Sequence, residues 1–287
     1  MSTRYPCATT FYREASPSTI RRYVEGFEPP ALSGPVLGGI VPHAGWTYSG
    51  RTAARVFFTL KHAGLSPETF VFFGAVHRAA LTTPAVDTST TWTTPFGEVQ
   101  IDLELAEELK EARVELWADP AAHRGEHSIE VAVPFLQYFF PDSRLLPILC
   151  PPVEAAARFG ASVGGFLKGR PIAVMASTDL THYGAGYGFA PAGARAADAL
   201  DFMKRNDDRM IELIRSLDAE AIVPEAKRSL NACGSGAVAA ATAAARRLGA
   251  RRAVLVEYTT SYHAFPEDPV THCVGYAGIV FEGPPDM

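Results

Sequence analysis

Several classes of function are excluded by what this sequence lacks. No apolar stretch approaches the ~20 residues a helix needs to cross a bilayer; the longer apolar tracts, such as Ile172–Ala176, are strand-sized. The opening residues, Met1 to Pro6, show no charged region followed by an apolar core and cleavage site, so no secretory signal is expected. There is no basic run, and the net charge of −5 offers no footprint for nucleic acid or an anionic membrane. Cysteine is sparse: Cys7, Cys150, Cys233 and Cys273 are scattered, with no CxxC and no framework spacing. That pattern fits a reduced, cytoplasmic setting in which any one thiol is free to be a ligand or a nucleophile. Repeats, low-complexity segments and linker-like stretches are also missing. Residues 1–287 therefore read as a single domain, a size at which α/β folds often stay undivided.

What is present is ordinary globular material, 47% hydrophobic and 20% charged, ample for a sizeable core. Apolar β-type runs alternate with helical patterns. Strands are expected at Val36–Val41, Thr69–Gly74, Leu145–Cys150, Pro171–Ala176, Ala253–Tyr258 and Cys273–Phe281. Asp87–Pro95, rich in Thr, reads as extended or hairpin. Helices are expected at Ser49–Ala63, Leu103–Ala112, Ser128–Phe139, Val153–Leu167 and Gly236–Leu248, with a helix-rich insertion over Ala192–Ser229. Strands apolar on both faces and separated by helices predict an α/β fold, a central sheet flanked by helices. The last two strands can pair antiparallel, which makes the sheet mixed.

Three of the apolar strands run directly into short polar segments containing histidine. They end in Pro42-His43-Ala44-Gly45, in Gly74-Ala75-Val76-His77, and in Ser177-Thr178-Asp179-Leu180-Thr181-His182. In open α/β sheets ligands bind beyond the carboxyl ends of the strands, where such loops converge. One histidine after a strand is more often a hydrogen-bonded loop residue; three in equivalent places point to a site. His62, in a helical pattern, and His123, in a polar loop, are read as structural.

Cys233 opens a helix in the run Asn231–Gly236, at the positive end of a helix dipole, which favours the thiolate that binds metal or attacks carbon. Gly234 and Gly236 remove side-chain bulk, so a ligand or another backbone can come close. The same glycines with Ala239 make a loose dinucleotide fingerprint, but Lys227–Asn231 before them is a poor strand. The run Glu126-His127-Ser128-Ile129-Glu130 offers Ser128 as a helix N-cap, and Glu126 and His127 as candidate pocket residues.

These blocks together resemble the Memo family, whose bacterial and archaeal members are labelled AmmeMemoRadiSam system protein B. The resemblance rests on PHAGWTYSG from Pro42 to Gly50, GAVH ending at His77, EHSIE from Glu126 to Glu130, STDLTHYG from Ser177 to Gly184, and Cys233-Gly234. The blocks run through most of the chain. The resemblance implies a fold similar to class III extradiol dioxygenases and a metal centre ligated by His43, His77 and Cys233, with Asp179 and His182 as catalytic neighbours. Trp46, Tyr48, Arg78, Glu126 and His127 would line the pocket. A thiolate in place of a carboxylate ligand favours Fe(II), with Cu or Zn as alternatives, over Mg or Ca. The sequence departs from the vertebrate pattern at Trp46, Arg78 and Thr181, and Arg78 would make the rim cationic, suiting an anionic substrate or peptide.

The expectation is a metal-dependent redox or dioxygenase-like enzyme acting on an unidentified small molecule, with His182 moving a proton. Two alternatives stand beside it. One is a module that binds a peptide or small ligand in the same pocket. The other is a hydrolase with Cys233 as nucleophile and His182–Asp179 as base and orienter. No nucleic-acid or membrane partner is expected, and the oligomeric state is open.

Overall fold

A computed structural model describes residues 2–285, so Met1, Asp286 and Met287 lie outside the described part of the expected 1–287 domain. In chain order the strands are β1 (Thr3–Arg4), β2 (Val36–Val41), β3 (Thr69–Gly74), β4 (Ala85–Val86), β5 (Thr91–Thr94), β6 (Gly97–Gln100), β7 (Trp117–Ala118), β8 (Arg144–Leu149), β9 (Ile172–Ser177), β10 (His182–Tyr183), β11 (Arg252–Thr260) and β12 (Cys273–Glu282). The helices are α1 (Pro17–Val24), α2 (Arg51–His62), α3 (Leu103–Glu111), α4 (Pro120–Arg124), α5 (Val133–Phe139), α6 (Ala155–Leu167), α7 (Ala196–Arg215), α8 (Ala219–Ser229) and α9 (Ser235–Leu248).

The sheet is mixed, as its sequence pattern indicates. Its centre is the parallel run β2-β9-β3-β8. On one flank β12 lies antiparallel to β2, with β11 antiparallel beyond it and β10 along its first residues. On the other flank β4 is antiparallel to β8 and β7 closes the edge. The Thr-rich stretch forms a β5–β6 hairpin that pairs with β1 in a separate small sheet.

Helices cover both faces because the central strands are apolar on both. Along β3, Phe70 and Phe72 enter the core under α2 and α5, while Val71 and Phe73 enter the core under α6 and α9. All four are fully enclosed, and burying each such side chain stabilises the fold by roughly 1.5–3 kcal/mol. The second face has a tighter layer. Gly160 and Gly164 of α6 lie so close to Ala240 and Ala244 of α9 that a Cβ built on Gly160 would fall 2.0 Å from the Ala240 carbonyl oxygen. The alanine-rich sequence of α9 is what permits this approach.

Two expected boundaries move. The helix expected over Ser128–Phe139 begins only at Val133, after a short 3-10 turn over Glu130–Ala132. Ser128 therefore caps nothing; its hydroxyl donates to the Ala75 carbonyl at 3.1 Å and ties this loop to the end of β3. The helix expected from Ser49 starts at Arg51, because Trp46–Gly50 forms a wide π-type turn. Short β1, β4, β7 and β10 carry too few residues to show a period in the sequence.

The N-terminal segment is clamped to the EHSIE loop by buried charge. Arg4 and Glu130 pair at 2.8 Å with both side chains at most 2% exposed. Glu130 also accepts the backbone N–H of Cys7 and Ala8 and the Tyr12 hydroxyl at 2.6 Å. Arg4 donates to the carbonyls of His123 and Glu126 and lies 4.0 Å over the Trp92 ring. His123, read from the sequence as a structural residue of a polar loop, lies instead in α4 and is buried, its Nε2 meeting the Ala85 carbonyl at 3.0 Å.

Candidate metal centre

The parallel strands β2, β9 and β3 end on the same side of the sheet, and each delivers a polar side chain there. His43 follows β2, His77 follows β3, Ser177 ends β9, Asp179 lies in the loop after it, and His182 opens β10. Cys233 arrives from the turn before α9. That turn is seated by two close approaches: a Cβ on Gly234 would meet the Ser177 carbonyl oxygen at 2.3 Å, and one on Gly236 the Pro151 carbonyl oxygen at 2.1 Å. The glycines therefore admit backbone to backbone. No strand precedes them, which removes the dinucleotide reading of the fingerprint.

The metal-ligating atoms of His43, His77 and Cys233 all lie within 4.8 Å of one another. The hydrogen-bond network sets which ring nitrogens face inward. Ser177 Oγ donates its proton to the Ser128 carbonyl at 2.6 Å, so at His43 Nδ1, 3.0 Å away, it must accept. His43 is thus the Nδ1–H tautomer, and its bare Nε2 lies 3.1 Å from Cys233 Sγ. At His77 the carboxylate of Glu126 takes Nδ1–H at 2.9 Å and the backbone N–H at 2.7 Å. The Nε2 atoms are the ones left for a shared occupant, an outer-nitrogen arrangement common to metal-bound imidazoles, and at His77 that occupant would have to displace a proton.

The two imidazoles differ in charge. Burial keeps His43 neutral, holding its pKa well below the usual imidazole value. Burial works against protonation of His77 as well, but hydrogen bonds to Cys233 and Glu126 overcome it and lift its pKa to about 10. Asp179, enclosed, has a raised pKa from burial, opposed by His182 and by the backbone N–H groups of His43 and Ala44. Those N–H groups reach Asp179 Oδ1 at 2.8 and 3.2 Å. Asp179 therefore fixes the His43 loop, and its own backbone N–H points to Cys233 Sγ at 3.3 Å. His182 donates Nδ1–H to the Leu180 carbonyl at 3.1 Å, which leaves Nε2 as an acceptor.

A cavity of about 710 Å³ opens above these groups, and His43, His77, His127, Asp179, His182, Cys233 and Tyr48 all line it. Three residues expected in its wall are elsewhere. Trp46 is 1% exposed, stacked on Phe135 at 4.0 Å with its indole N–H on the Val131 carbonyl; it is core. Glu126 is buried beneath the wall, where it holds His77 and accepts the backbone N–H of His127 and Ser128. Arg78 is exposed at the Gly125 turn and does not line the cavity.

The structure adds wall residues that sequence reading missed, among them Phe11, Tyr187, Phe265, Glu267 and His272. They come from the N-terminal segment and from loops after β10 and β11, with no motif to mark them. Phe11 sets its ring edge-on to His127 at 4.8 Å. His127 in turn stacks on His77 at 4.9 Å. His77, Glu126 and His127 make a second group of potential ligands. Glu126 serves both histidines through one oxygen, Oε1, which suits a support for the first group better than an independent site.

Cys233 Sγ is hydrogen-bonded to His43. Among the described residues no bond joins it to His182, so the Cys233–His182 contact required of the expected thiol hydrolase is not formed.

Comparison with known proteins agrees with the layout of these blocks. The model of the family described as Memo-like protein matches residues 7–280. A MEMO1 family protein of Pyrococcus abyssi is 35% identical over 289 residues, covering 96% of this chain and 98% of its own. One of Methanosarcina barkeri is 37% identical over 253 residues, covering 86% and 87%. Among solved structures, an uncharacterized protein of Escherichia coli K12 aligns at TM-score 0.48 and 12% identity, over 84% of this chain and 98% of that one.

Proposed function

The chain belongs to the Memo-like protein family, and from that premise we propose that it is a metal-dependent redox enzyme, dioxygenase-like in its use of an open metal site. The observation that carries the reading is the convergence of His43 Nε2, His77 and Cys233 Sγ within 4.8 Å at the floor of a solvent-reached cavity. The donor set fits a soft or borderline transition ion, and the outer nitrogens of both imidazoles are already committed to Ser177 and Glu126. Fe(II), or alternatively copper, would be held by His43, His77 and Cys233 and would supply a one-electron couple, whereas Zn would supply only polarisation.

The protein's own residues do the rest. Glu126 and Ser177 aim the two imidazoles. Asp179 holds the His43 loop through two backbone N–H groups. His182, with Nε2 free, takes a proton from a hydroxyl in the cavity and returns it later in the cycle. The substrate is a small molecule reaching the centre through the cavity mouth. Four free cysteines support a reducing, cytoplasmic setting, and no helix among the described residues is long and apolar enough to cross a membrane.

The test is anaerobic reconstitution of untagged protein with Fe(II), elemental analysis, and O₂ uptake with candidate substrates. We expect about one ion per chain, lost in Cys233→Ala. His182→Gln should keep the metal and lose turnover. A protein that never retains stoichiometric metal would overturn the reading. One observation keeps a second reading in play: the 3.1 Å Cys233–His43 contact is a thiol–imidazole pair, with Ser177 orienting the ring. Metal-independent hydrolysis abolished equally by Cys233→Ala and His43→Ala would select it.

A further inference from the structure

We propose that the groove where α7, α8 and the loop after β10 meet is a second ligand site, built for a small carboxylate on an apolar body. The groove holds about 430 Å³ and shares no lining residue with the cavity above Cys233. The proposal therefore goes beyond the metal reading and does not rest on it.

The first ground is an arginine that the packing of the helices does not need. Arg209 of α7 donates Nε–H to buried Glu225 of α8 at 2.9 Å, and that pair staples one helix to the other. Arg228 pairs with the same carboxylate from three residues along α8, so it joins no second element. Two guanidiniums and one carboxylate leave a single positive charge at the groove, and no Asp or Glu lines it among the described residues. Each guanidinium offers five N–H donors in a fixed fork. Among the described residues Nη1 of Arg209, and Nη1 and Nε of Arg228, have no hydrogen-bond partner. A carboxylate matches that fork in shape and balances the remaining charge.

The second ground is that the donors are held in place. Arg209 also donates to Asn206 Oδ1. Asn206 is buried, its amide fixed on Thr181 Oγ1 at 2.9 Å and on the Ser229 carbonyl at 2.8 Å. The polar side of the groove is thus ordered before a ligand arrives, which lowers the cost of binding one. The other side is apolar. Phe189 and Phe202, both half-buried, stand edge-on at 5.8 Å, with exposed Pro191 beside them. An apolar wall with a few convergent polar groups is the usual make-up of a small-molecule site.

The experiment titrates three probes into the full chain, once stripped with chelator and once with Zn(II) added. They are hexanoate, hexanol, which lacks the charge, and acetate, which lacks the apolar body. Heteronuclear NMR follows the assigned side-chain amide of Asn206, which lines this groove and not the metal cavity. We expect saturable shifts with hexanoate, and binding at least about tenfold weaker for hexanol and acetate. Arg228→Gln, at an exposed side chain, should weaken hexanoate about tenfold, and Arg228→Lys should weaken it less. Hexanol matching hexanoate overturns the proposal, as does an Arg228→Gln variant that binds unchanged. Hexanoate binding that needs Zn(II), or that shifts only signals of the metal cavity, places the anion there and overturns it too.

Discussion

Glu126 holds His77 at two points, the ring Nδ1 at 2.9 Å and the backbone N–H at 2.7 Å, from a position 3% exposed. One carboxylate thus fixes both the path of the loop after β3 and the rotation of the imidazole. Removing only its charge should leave the fold and blur the aim. We expect Glu126→Gln to weaken metal binding by roughly 10–100-fold, measured by chelator competition, with the urea midpoint little changed. Unaltered affinity would mean that Glu126 is merely a buried structural carboxylate.

Two glycine substitutions should separate site from scaffold. Gly234→Ala forces a methyl group 2.3 Å from the Ser177 carbonyl oxygen, and Cys233 must shift with its turn. Gly160→Ala meets the Ala240 carbonyl oxygen at 2.0 Å, on the α6–α9 contact. Each should cost about 1–3 kcal/mol of stability. Only Gly234→Ala should also lower metal affinity, and equal effects of both on affinity would contradict the assignment of the Cys233 turn.

The Arg4–Glu130 pair gives a test of the N-terminal clamp. Glu130→Gln leaves a guanidinium buried with no countercharge at 2.8 Å, and breaking such a pair typically costs about 3–5 kcal/mol. Denaturant unfolding would read the loss. Limited proteolysis should report earlier cleavage before Tyr12, because Glu130 also holds Cys7, Ala8 and Tyr12. A change under about 1 kcal/mol would show that the clamp is not closed in solution.

Asp207 predicts a pH effect of unusual sign. It accepts the Thr181 N–H at 2.9 Å and the Tyr258 hydroxyl at 2.9 Å, yet burial dominates and pushes its pKa from 3.8 up to about 6. The folded state therefore binds this proton more tightly than the unfolded chain, so acidification between those two values stabilises through Asp207. His123, buried neutral with its pKa lowered to about 4, acts oppositely in much the same range. The informative quantity is the difference between variants. Wild type minus Asp207→Asn should gain about 2 kcal/mol as pH falls from 7 to 4, by urea unfolding at several pH values. A flat difference would sink the assignment.

The central strands and three strand-end histidines were legible because apolar runs and polar breaks are local features. Cys233 was placed by resemblance, since nothing nearby in sequence says that its turn reaches the end of β9. Trp46 misled for a related reason. It lies within the same short block as His43 and Tyr48, but its side chain points into the core while Tyr48 lines the cavity, a rotation set by the π-type turn. Arg78 follows His77 and suggests an electropositive rim, but adjacent loop residues need not share a direction. Phe11, Tyr187 and Phe265 were invisible because exposure around a common cavity is a property of the assembled loops alone.

The thiol of Cys233 lies 190 positions beyond His43. During synthesis both imidazoles leave the ribosome long before the sulfur does, and β9, which separates β2 from β3, is made in between. A nascent chain can offer stray imidazoles to an ion but cannot offer the finished pocket. Any ion held by all three groups would therefore be taken up only after the chain has been completed.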